Sequence, residues 1–434
     1  MLNPPQEEPT ESLLGILRDT FRLREFRKGQ RPVIESVLAG HDALAVMPTG
    51  QGKSLCYQLP AYVTGRLVVV ISPLIALMQD QVRSLSLMGL RAGCLHSGQS
   101  TDENGEVFTQ IRHGGPYILF LSPERVQTSG FIEWLRSQAV SLFAIDEAHC
   151  VSQWGHDFRL DYSRLSRLRE TKPEVPILAL TATATPQVLD DIVEILRMRE
   201  PKRHVYGFYR PNLFFQVSEC ESDREKLSVI ISAIRTVPEG RILIYCGTRN
   251  RAEQLAAELA GRFSRVGYYH AGLSAELRAE TQKGMDDGRL RILCATNAFG
   301  MGVNYPDVRL VIHYNMPANI ESFYQEMGRA GRDGRMSRCL LLYSRKDVEL
   351  QAFFIQQSKA EARVIAARWR ALESMVEFAE RKACRHAGIL GYFRDPEPIT
   401  ACGHCDVCAP RSKWVVPVRK TVPKIVWRIG RRKS

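Results

Sequence analysis

Short apolar runs rich in β-branched residues recur along most of the chain, and each is followed by turn residues and a helix-like stretch. In the first half these runs are Ala43–Met47, Leu67–Ser72, Tyr117–Ser122, Leu142–Ile145 and Ile177–Thr181. In the second half they are Ile242–Cys246, Val266–His270, Ile292–Ala295, Leu310–Tyr314 and Cys339–Tyr343. Continuous apolar strands that alternate with helices are typical of parallel sheets buried on both faces. Two such series, with a break near Arg203–Pro211, predict an α/β chain with two tandem parallel-sheet domains at residues 1–206 and 207–345.

The pattern changes after the second series. Between Asp347 and Ala383, apolar residues recur at helical spacing among polar ones: Val364, Trp369, Leu372, Met375, Val376 and Phe378. This spacing predicts a small helical module, which we assign to residues 346–410 together with a group of cysteines. Residues 411–434 carry no folded-domain pattern and are predicted to form a basic tail.

The formal net charge of +12 is concentrated at the C-terminus. Nine Lys and Arg residues and no acid follow Cys408, so the preceding residues carry only about three excess positive charges. A basic tail beside a nearly neutral body predicts local contacts with nucleic-acid phosphates. The alternative is a solvated tail that only aids solubility.

The remaining composition predicts an intracellular protein. The chain has no run of eighteen apolar residues, and its N-terminus is acidic and contains prolines, unlike a secretory signal. We expect a cytoplasmic, nucleoid-associated protein in a bacterium or a nuclear protein in a eukaryote. The eleven cysteines therefore do not predict disulfides. Seven are scattered, and those such as Cys56, Cys246 and Cys294 lie in apolar segments as core residues.

A glycine-rich loop, Met-Pro-Thr-Gly-Gln-Gly-Lys-Ser, follows the first apolar run. Its glycines allow the backbone N–H groups to point toward phosphate oxygens. Lys53 can reach the β- and γ-phosphates of ATP, and the Ser54 hydroxyl can bind Mg²⁺. Met47 stands where the strict motif has glycine, so the match is to the variant of nucleic-acid motors. The predicted nucleotide-binding residues of this loop are Thr49, Gly50, Gly52, Lys53 and Ser54.

Two adjacent acids, Asp146 and Glu147, follow the apolar run Leu142–Ile145. At the carboxyl edge of a parallel sheet they would lie near the glycine-rich loop. Asp146 suits a Mg²⁺ position, and Glu147 suits the group that orients and deprotonates the attacking water. The alternative is an exposed acidic turn, which the buried strand and the separation of about 90 residues from the loop do not favour.

Together with several segments elsewhere in the chain, these two motifs resemble the RecQ family of superfamily 2 DNA helicases, from about Leu17 to Cys408. The most specific stretch runs from Asp146 to Arg159, where the acids continue into an aromatic-rich loop. Further matching segments lie at residues 26–30, 72–80, 180–183, 298–304 and 325–334. The resemblance implies two RecA-like lobes with ATP between them, and a DNA helicase of 3′-to-5′ polarity that acts in DNA repair or recombination.

The resemblance also implies roles for individual residues. Arg27 and Gln30 resemble the pair that recognises adenine. Gln325, Arg329 and Arg332 belong to the second lobe, and the two guanidinium groups would reach the γ-phosphate across the cleft and stabilise charge that grows in the transition state. Because they lie on the opposite lobe from the glycine-rich loop, hydrolysis would be coupled to lobe closure.

The aromatic-rich loop is predicted to sense DNA through Trp154, His156, Phe158 and Arg159. Bases stack on aromatic faces for about 1–3 kcal/mol each, whatever their sequence. His156 and Arg159 can add phosphate contacts. Ordinary packing of the two aromatic residues is the alternative, but their position beside the two acids favours DNA sensing. The expected partner is single-stranded DNA and its junction with duplex.

Four cysteines near the C-terminus have the spacing of a metal site: Cys384, Cys402, Cys405 and Cys408. Such a set fits tetrahedral Zn²⁺, and a closed set without an open position is structural rather than catalytic. The RecQ zinc module has the same arrangement. Replacement of one cysteine by His386 or His404, and an iron–sulfur cluster, are the alternatives.

The leading prediction is an ATP-dependent DNA helicase that uses ATP, Mg²⁺ and Zn²⁺. Compared with many RecQ proteins, we expect a short form without the winged-helix and HRDC domains, which leaves processive unwinding open. One alternative is a DNA-stimulated ATPase or strand-annealing module with little processive unwinding. Another is an inert interaction protein that has kept the fold, which the intact set of predicted catalytic residues argues against.

Overall fold

The computed structural model describes residues 9–48, 50–152, 159–300 and 305–418. The first part, lobe 1, contains α1 (Pro9–Asp19), α2 (Gln30–Leu38), β1 (Ala43–Val46), α3 (Leu55–Thr64), β2 (Leu67–Ile71), α4 (Ile75–Leu87), β3 (Ala92–Leu95), α5 (Thr101–Arg112), β4 (Tyr117–Leu121), α6 (Ser129–Ser137), β5 (Val140–Ile145), α7 (Ser166–Thr171), β6 (Ile177–Thr181), α8 (Pro186–Ile195) and β7 (Lys202–Val205). Short 3₁₀ turns lie at Pro123–Gln127, Ala148–Val151 and Tyr162–Arg164.

The strands of lobe 1 form a parallel sheet in the order β3-β4-β2-β5-β6-β1-β7. All five strands predicted in this half are present, and β3 and β7 are additional. The pattern did not predict β7 because this edge strand exposes Lys202 and Arg203. Since β5 and β1 flank β6, the residues that follow these three strands meet at one carboxyl edge.

The second part, lobe 2, contains β8 (Leu213–Glu219), α9 (Asp223–Arg235), β9 (Arg241–Tyr245), α10 (Arg249–Ala260), β10 (Val266–Tyr269), α11 (Ala275–Asp286), β11 (Ile292–Ala295), β12 (Val308–His313), α12 (Ile320–Met327) and β13 (Ser337–Tyr343). Its strands are parallel in the order β10-β11-β9-β12-β13-β8. The five strands predicted in this half are present. The additional strand β8 follows the break in the pattern, and its apolar start, Leu-Phe-Phe, was the signal that could have predicted it.

The predicted helical module contains α13 (Arg345–Gln356), α14 (Ala362–Glu380) and α15 (Arg385–Tyr392). Four of its predicted apolar positions, Val364, Leu372, Met375 and Phe378, are buried. A continuous apolar cluster includes one face of each sheet and these helices. The opposite faces of the two sheets have their own clusters. The parallel sheets are therefore covered on both faces, as the sequence pattern predicted.

The seven scattered cysteines are all buried, which confirms their predicted place in the core. Among the described residues, no helix combines the length and the apolar character that crossing a bilayer requires.

The chain after Pro410 begins on the surface of lobe 2, which corrects the expectation that this segment has no folded structure. The Gln216 side chain donates to the Val416 carbonyl at 2.7 Å and accepts from the Val416 N–H at 2.9 Å. Trp414 stacks on Phe214, with ring centroids 6.4 Å apart. The first residues of the predicted tail, up to Val418, therefore pack against the lobe.

Candidate functional site

The glycine-rich loop connects β1 to α3 at the carboxyl edge of the first sheet. Gly50 and Gly52 have φ values of +91° and +77°, which glycine adopts without the steric cost that a side chain would bring. Ser54 precedes the first residue of α3, so the N-terminus of this helix and its positive dipole end face the loop. Thr49 lies outside the described residues. The loop therefore has a tight turn followed directly by a helix, as the motif predicts.

Arg27 and Gln30, the predicted adenine-recognising pair, contact the backbone of this loop. Arg27 Nη1 donates to the Gly50 carbonyl at 2.6 Å. Gln30 Nε2 donates to the carbonyls of Gln51 and Gly52 at 3.1 and 2.9 Å, and Gln30 Oε1 accepts from the Arg27 N–H at 2.8 Å. Both N–H donors of the Gln30 amide are thus engaged, and a contact in which Gln30 donates to adenine would have to replace one of these bonds.

The two predicted acids follow β5, next to the loop. The Asp146 carboxylate is buried and accepts from the Glu147 N–H at 3.0 Å. Glu147 lies in the left-handed region at φ +48°, which is costly for a residue with a side chain. This backbone turn brings Glu147 Oε1 to 4.0 Å from Lys53 Nζ. The structure therefore brings together the lysine of the loop and both acids.

A polar chain continues from Glu147 to the end of β6. His149 Nδ1 lies 3.4 Å from Glu147 Oε2 and 3.0 Å from Thr181 Oγ1. The Thr181 hydroxyl in turn donates to the Thr183 carbonyl at 3.0 Å. His149 and Thr181 were not among the predicted site residues, although both lie in segments that carry the family resemblance. Their contacts connect the acid-bearing turn to the next strand of the sheet.

The predicted residues of lobe 2 lie on α12 and the turn after it. Arg332 packs over the glycine-rich loop of lobe 1, where a methyl group added to Gly50 would lie 3.5 Å from Arg332 Cγ. Arg329 is buried within lobe 2 and donates to the Gly300 carbonyl. Gln325 lies on α12 and is partly buried. Of these three residues, Arg332 is the one whose described contacts cross to lobe 1.

The pKa values of Asp146 and Arg332 are both shifted, because each group is buried close to a residue of the same charge. Burial, followed by the charge of Glu147, raises the pKa of the Asp146 carboxyl to about 7. Burial, followed by the positive charges of Arg329 and Arg210, lowers the pKa of Arg332 to about 9. A guanidinium crowded by other guanidiniums would be stabilised by an anion between the lobes.

The predicted DNA-sensing loop lies mostly outside the described residues, which leave out Trp154, His156 and Phe158. Arg159 comes directly after them, and its guanidinium donates to the Pro73 carbonyl at 2.7 Å. On the other side of the loop, Ser152 hydrogen-bonds to the carboxylate of Asp191 at 2.5 Å. Both flanks are thus held by lobe 1.

The four predicted metal ligands converge beside α15. One sulfur from each of Cys384, Cys402, Cys405 and Cys408 lies within 4.8 Å of the others. Backbone N–H groups donate to three of these sulfurs, as in Cys402 N to Cys384 Sγ at 3.2 Å. Such donors stabilise thiolates, so the donor set fits a tetrahedral Zn²⁺ ion. His386, His404 and Cys402 form a second close group, which keeps the histidine alternative open.

Family models match three consecutive parts of the chain. Residues 27–192 match the DEAD/DEAH box helicase family, and residues 225–334 match the helicase conserved C-terminal domain. Residues 345–409 match the RecQ zinc-binding family. The last match covers all four cysteines.

Similar proteins include the ATP-dependent DNA helicase RecQ of Haemophilus influenzae, which is 39% identical over 98% of this chain and 68% of its own length. The probable ATP-dependent DNA helicase RecS of Bacillus subtilis is 43% identical over 85% of this chain and 74% of its own length. The first comparison, at 98% of this chain, includes the two lobes and the cysteine-bearing module.

Solved structures share the fold at much lower identity. The Mycobacterium smegmatis helicase Lhr bound to ssDNA and AMP-PNP has a TM-score of 0.61 at 19% identity and covers 86% of this chain and 58% of its own. S. cerevisiae Dbp5 bound to RNA and ADP BeF3 has a TM-score of 0.59 at 15% identity and covers 83% of this chain and 97% of its own. These structures support the two-lobed fold alone. Through its three matching domains and its similarity to relatives over most of its length, the chain belongs to the RecQ family of ATP-dependent DNA helicases.

Proposed function

We propose that ATP is hydrolysed between the two lobes and that opening and closing of this cleft move the enzyme 3′-to-5′ along single-stranded DNA. Movement into a junction would separate duplex DNA during repair or recombination. The polarity and the cellular role rest on the family resemblance. The packing of Arg332 over Gly50 is the observation that carries the proposal, because it brings the Arg332 side chain of lobe 2 against the glycine-rich loop of lobe 1, with its guanidinium within electrostatic range of Glu147.

In lobe 1, the glycine-rich loop would hold the phosphates. Lys53 lies 4.0 Å from Glu147, a distance at which a phosphate oxygen could take over the lysine as its partner. Ser54 and Asp146 would hold Mg²⁺, which neutralises phosphate charge when bound. Glu147 would orient the attacking water and accept its proton, and the contact with His149 would hold that carboxylate in place.

In lobe 2, Arg332 would face the γ-phosphate as charge develops on the transferring group. Arg329 is buried against its own lobe and adds positive potential at short range. Gln325, on the same helix, would contact the nucleotide or its attacking water. Because the guanidiniums and the loop belong to different lobes, only the closed cleft would complete the site.

The remaining predicted residues would connect this site to its ligands. Arg27 and Gln30 would exchange loop carbonyls for the adenine edge, so that adenine binding rearranges the loop. Trp154, His156, Phe158 and Arg159 would contact single-stranded DNA beside the acids. Zn²⁺ would be held by the four cysteines and stabilise the helical module, without a catalytic role.

Two measurements separate a helicase from an ATPase that only anneals or binds DNA. ATP turnover with and without single-stranded DNA tests the coupling of the cleft to DNA. Strand displacement on duplexes with a 3′ or a 5′ single-stranded tail, with Lys53→Ala as the inactive control, tests unwinding and polarity. We expect DNA-stimulated turnover and ATP-dependent displacement of the 3′-tailed duplex. Stimulated turnover without displacement would support the annealing alternative, and turnover indifferent to DNA would contradict the proposal.

Gly52→Ala is expected to weaken nucleotide binding about tenfold, or about 1.4 kcal/mol. A methyl group at this position would lie 2.6 Å from Gln30 Nε2, so the glutamine would have to move away from the loop. Gly40→Ala is the matched control, because Gly40 has a similar φ of +82° and open space around it. Both variants should lose about 1–2 kcal/mol of stability from the backbone alone. Fluorescent-ADP titration and thermal melts distinguish the two effects, and equal affinity in both variants would contradict the predicted role of the loop.

A further inference from the structure

The segment that joins the two lobes, residues 206–212, lies between α12 and the helical module with the four cysteines, called the zinc-binding module below. It follows β7 of lobe 1 and precedes β8 of lobe 2. The sequence pattern shows it only as the break between two series of strands. In the structure it makes side-chain and backbone contacts on both sides, and these contacts reach the turn that carries Arg332.

On one side, Arg210 binds the backbone of that turn. Its Nη1 donates to the Gly328 carbonyl at 3.4 Å, and its Nη2 donates to the carbonyls of Ala330 and Gly331 at 3.0 and 3.3 Å. Carbonyls at the C-terminal end of a helix have no partner within the helix, and a cation there is favourable. Two of these carbonyls belong to the residues on either side of Arg329, and the third belongs to the residue directly before Arg332. Arg210 is itself buried, so water cannot substitute for it.

Asn212 holds the same turn two residues further along the segment. Its side-chain amide donates to the carbonyls of Gly331 and Arg335 at 2.8 and 3.1 Å. Gly331 has a φ of +58°, and a methyl group there would lie 2.5 Å from the Asn212 amide nitrogen. The turn is therefore held tightly from the segment side, and its backbone has little room to shift.

On the other side, the zinc-binding module holds the segment. His386 Nε2 lies 3.1 Å from the Arg210 carbonyl, and because a carbonyl only accepts, this nitrogen carries the proton and donates. The Phe208 N–H donates to the carboxylate of Asp395. The Phe208 ring stacks on Phe393, with centroids 4.3 Å apart and planes 9° apart. The Phe208 carbonyl accepts from the Tyr324 hydroxyl of α12 at 2.9 Å, so Phe208 contacts both the module and α12.

We propose that Arg210 is a positioning residue for Arg332 and that the zinc-binding module, through His386 and Asp395, keeps Arg210 in place. The module would then support ATP hydrolysis although it lies outside the cleft. A residue with a purely packing role would not need a buried charge beside Arg329 and Arg332, since like charges at short range are unfavourable. Three backbone carbonyls offset that cost only in the geometry that fixes the turn.

Because this role rests on the proposed function of Arg332, its test compares both residues. Arg210→Lys keeps the charge, but one ammonium group cannot reach three carbonyls in the same fork geometry. We expect kcat for ATP at saturating single-stranded DNA to fall about tenfold to a hundredfold, with little change in KM, since a small displacement of a catalytic group has such an effect. Zinc content should stay close to that of the unsubstituted protein, whereas the melting temperature should fall modestly, because buried carbonyls are left without a donor.

The double variant Arg210→Lys/Arg332→Ala distinguishes positioning from general destabilisation. If Arg210 acts through Arg332, the double variant loses much less than the product of the two single losses. Losses that multiply, or an Arg210→Lys variant with unchanged kcat, would overturn the inference. If Arg332→Ala itself leaves kcat unchanged, the proposed function fails instead, whatever Arg210→Lys does.

His386→Phe provides a second route if Arg210→Lys does not fold. The phenyl ring keeps the packing that His386 makes against Tyr209 and Phe215, with centroids 5.1 and 4.6 Å away, but it cannot donate to the Arg210 carbonyl. We expect a severalfold lower kcat at an unchanged ratio of zinc to protein. An unchanged kcat with zinc retained would contradict the role of the module. Loss of zinc would identify His386 as a metal ligand and overturn its assignment as the donor that holds Arg210.

Discussion

Replacement of Arg332 by alanine is expected to lower kcat for ATP about a thousandfold while nucleotide binding changes little. The Arg332 side chain lies over Gly50 of the opposite lobe, where the γ-phosphate would be held. A guanidinium in this position interacts most strongly when negative charge grows on the transferring group, so its loss affects the transition state more than the bound substrate. Steady-state ATP turnover at saturating single-stranded DNA, together with titration of a fluorescent non-hydrolysable ATP analogue that retains the γ-phosphate, measures the two effects separately.

Arg335→Ala is the matched control for this substitution. Arg335 lies in the same turn, three residues further along, and its side chain is exposed. Its removal should leave kcat within about twofold, as for most surface substitutions. If both variants lose activity equally, the turn as a whole matters and not the Arg332 guanidinium. If nucleotide affinity falls while kcat stays unchanged, Arg332 contributes to substrate binding rather than to the transition state.

Cys405→Ala is expected to abolish zinc binding and to unfold the helical module. Zinc held by a closed cysteine set contributes apparent free energies of about 10–16 kcal/mol, which is folding free energy for a small module. Cys405 is fully buried and pairs with Phe215 of β8 in a β-bridge. The next residue, Asp406, accepts from the Val217 N–H at 2.9 Å and forms an ion pair with Arg385 at 3.0 Å. Loss of the metal should therefore also loosen the edge of lobe 2.

Elemental analysis and limited proteolysis test this expectation. The unsubstituted protein should contain about one zinc per chain, and Cys405→Ala should contain none and be cleaved within the module. Cys94→Ala is the control, because Cys94 is a buried cysteine of lobe 1 outside the cluster. Iron in the unsubstituted protein would favour the cluster alternative. A Cys405→Ala variant that keeps stoichiometric zinc and its resistance to protease would show that the ligand set is wrong.

The zinc prediction also bears on the inference about Arg210. His386 follows Cys384 by two residues and donates to the Arg210 carbonyl. If the module holds the interlobe segment, zinc removal should lower ATP turnover as well as stability. Intact turnover in a zinc-free protein would therefore contradict that inference, although it would leave the assignment of the metal ligands unaffected.

Motifs whose structure depends on a few neighbouring residues could be predicted from the sequence. The glycines at 50 and 52 predicted a tightly curled loop, and in the structure both have positive φ. The cysteine spacing predicted a cluster, and the four sulfurs converge. In contrast, β7 was not predicted because its outward side chains are charged. Arg210 was not predicted because its role depends on carbonyls more than a hundred residues away, which no local pattern shows.

The sequence by itself determined the two parallel sheets, the position of the glycine-rich loop and the acids, and the grouping of the four C-terminal cysteines. Each of these features depends on the types of a few residues and on the short spacing between them, so it can be recognised from a local stretch of sequence. Only the tertiary structure decided that Arg332 rather than Arg329 packs over Gly50, and that the module contacts the interlobe segment. Such contacts join residues from distant parts of the chain. They arise because the two lobes and the module bury a shared apolar surface, and that packing sets which polar groups meet.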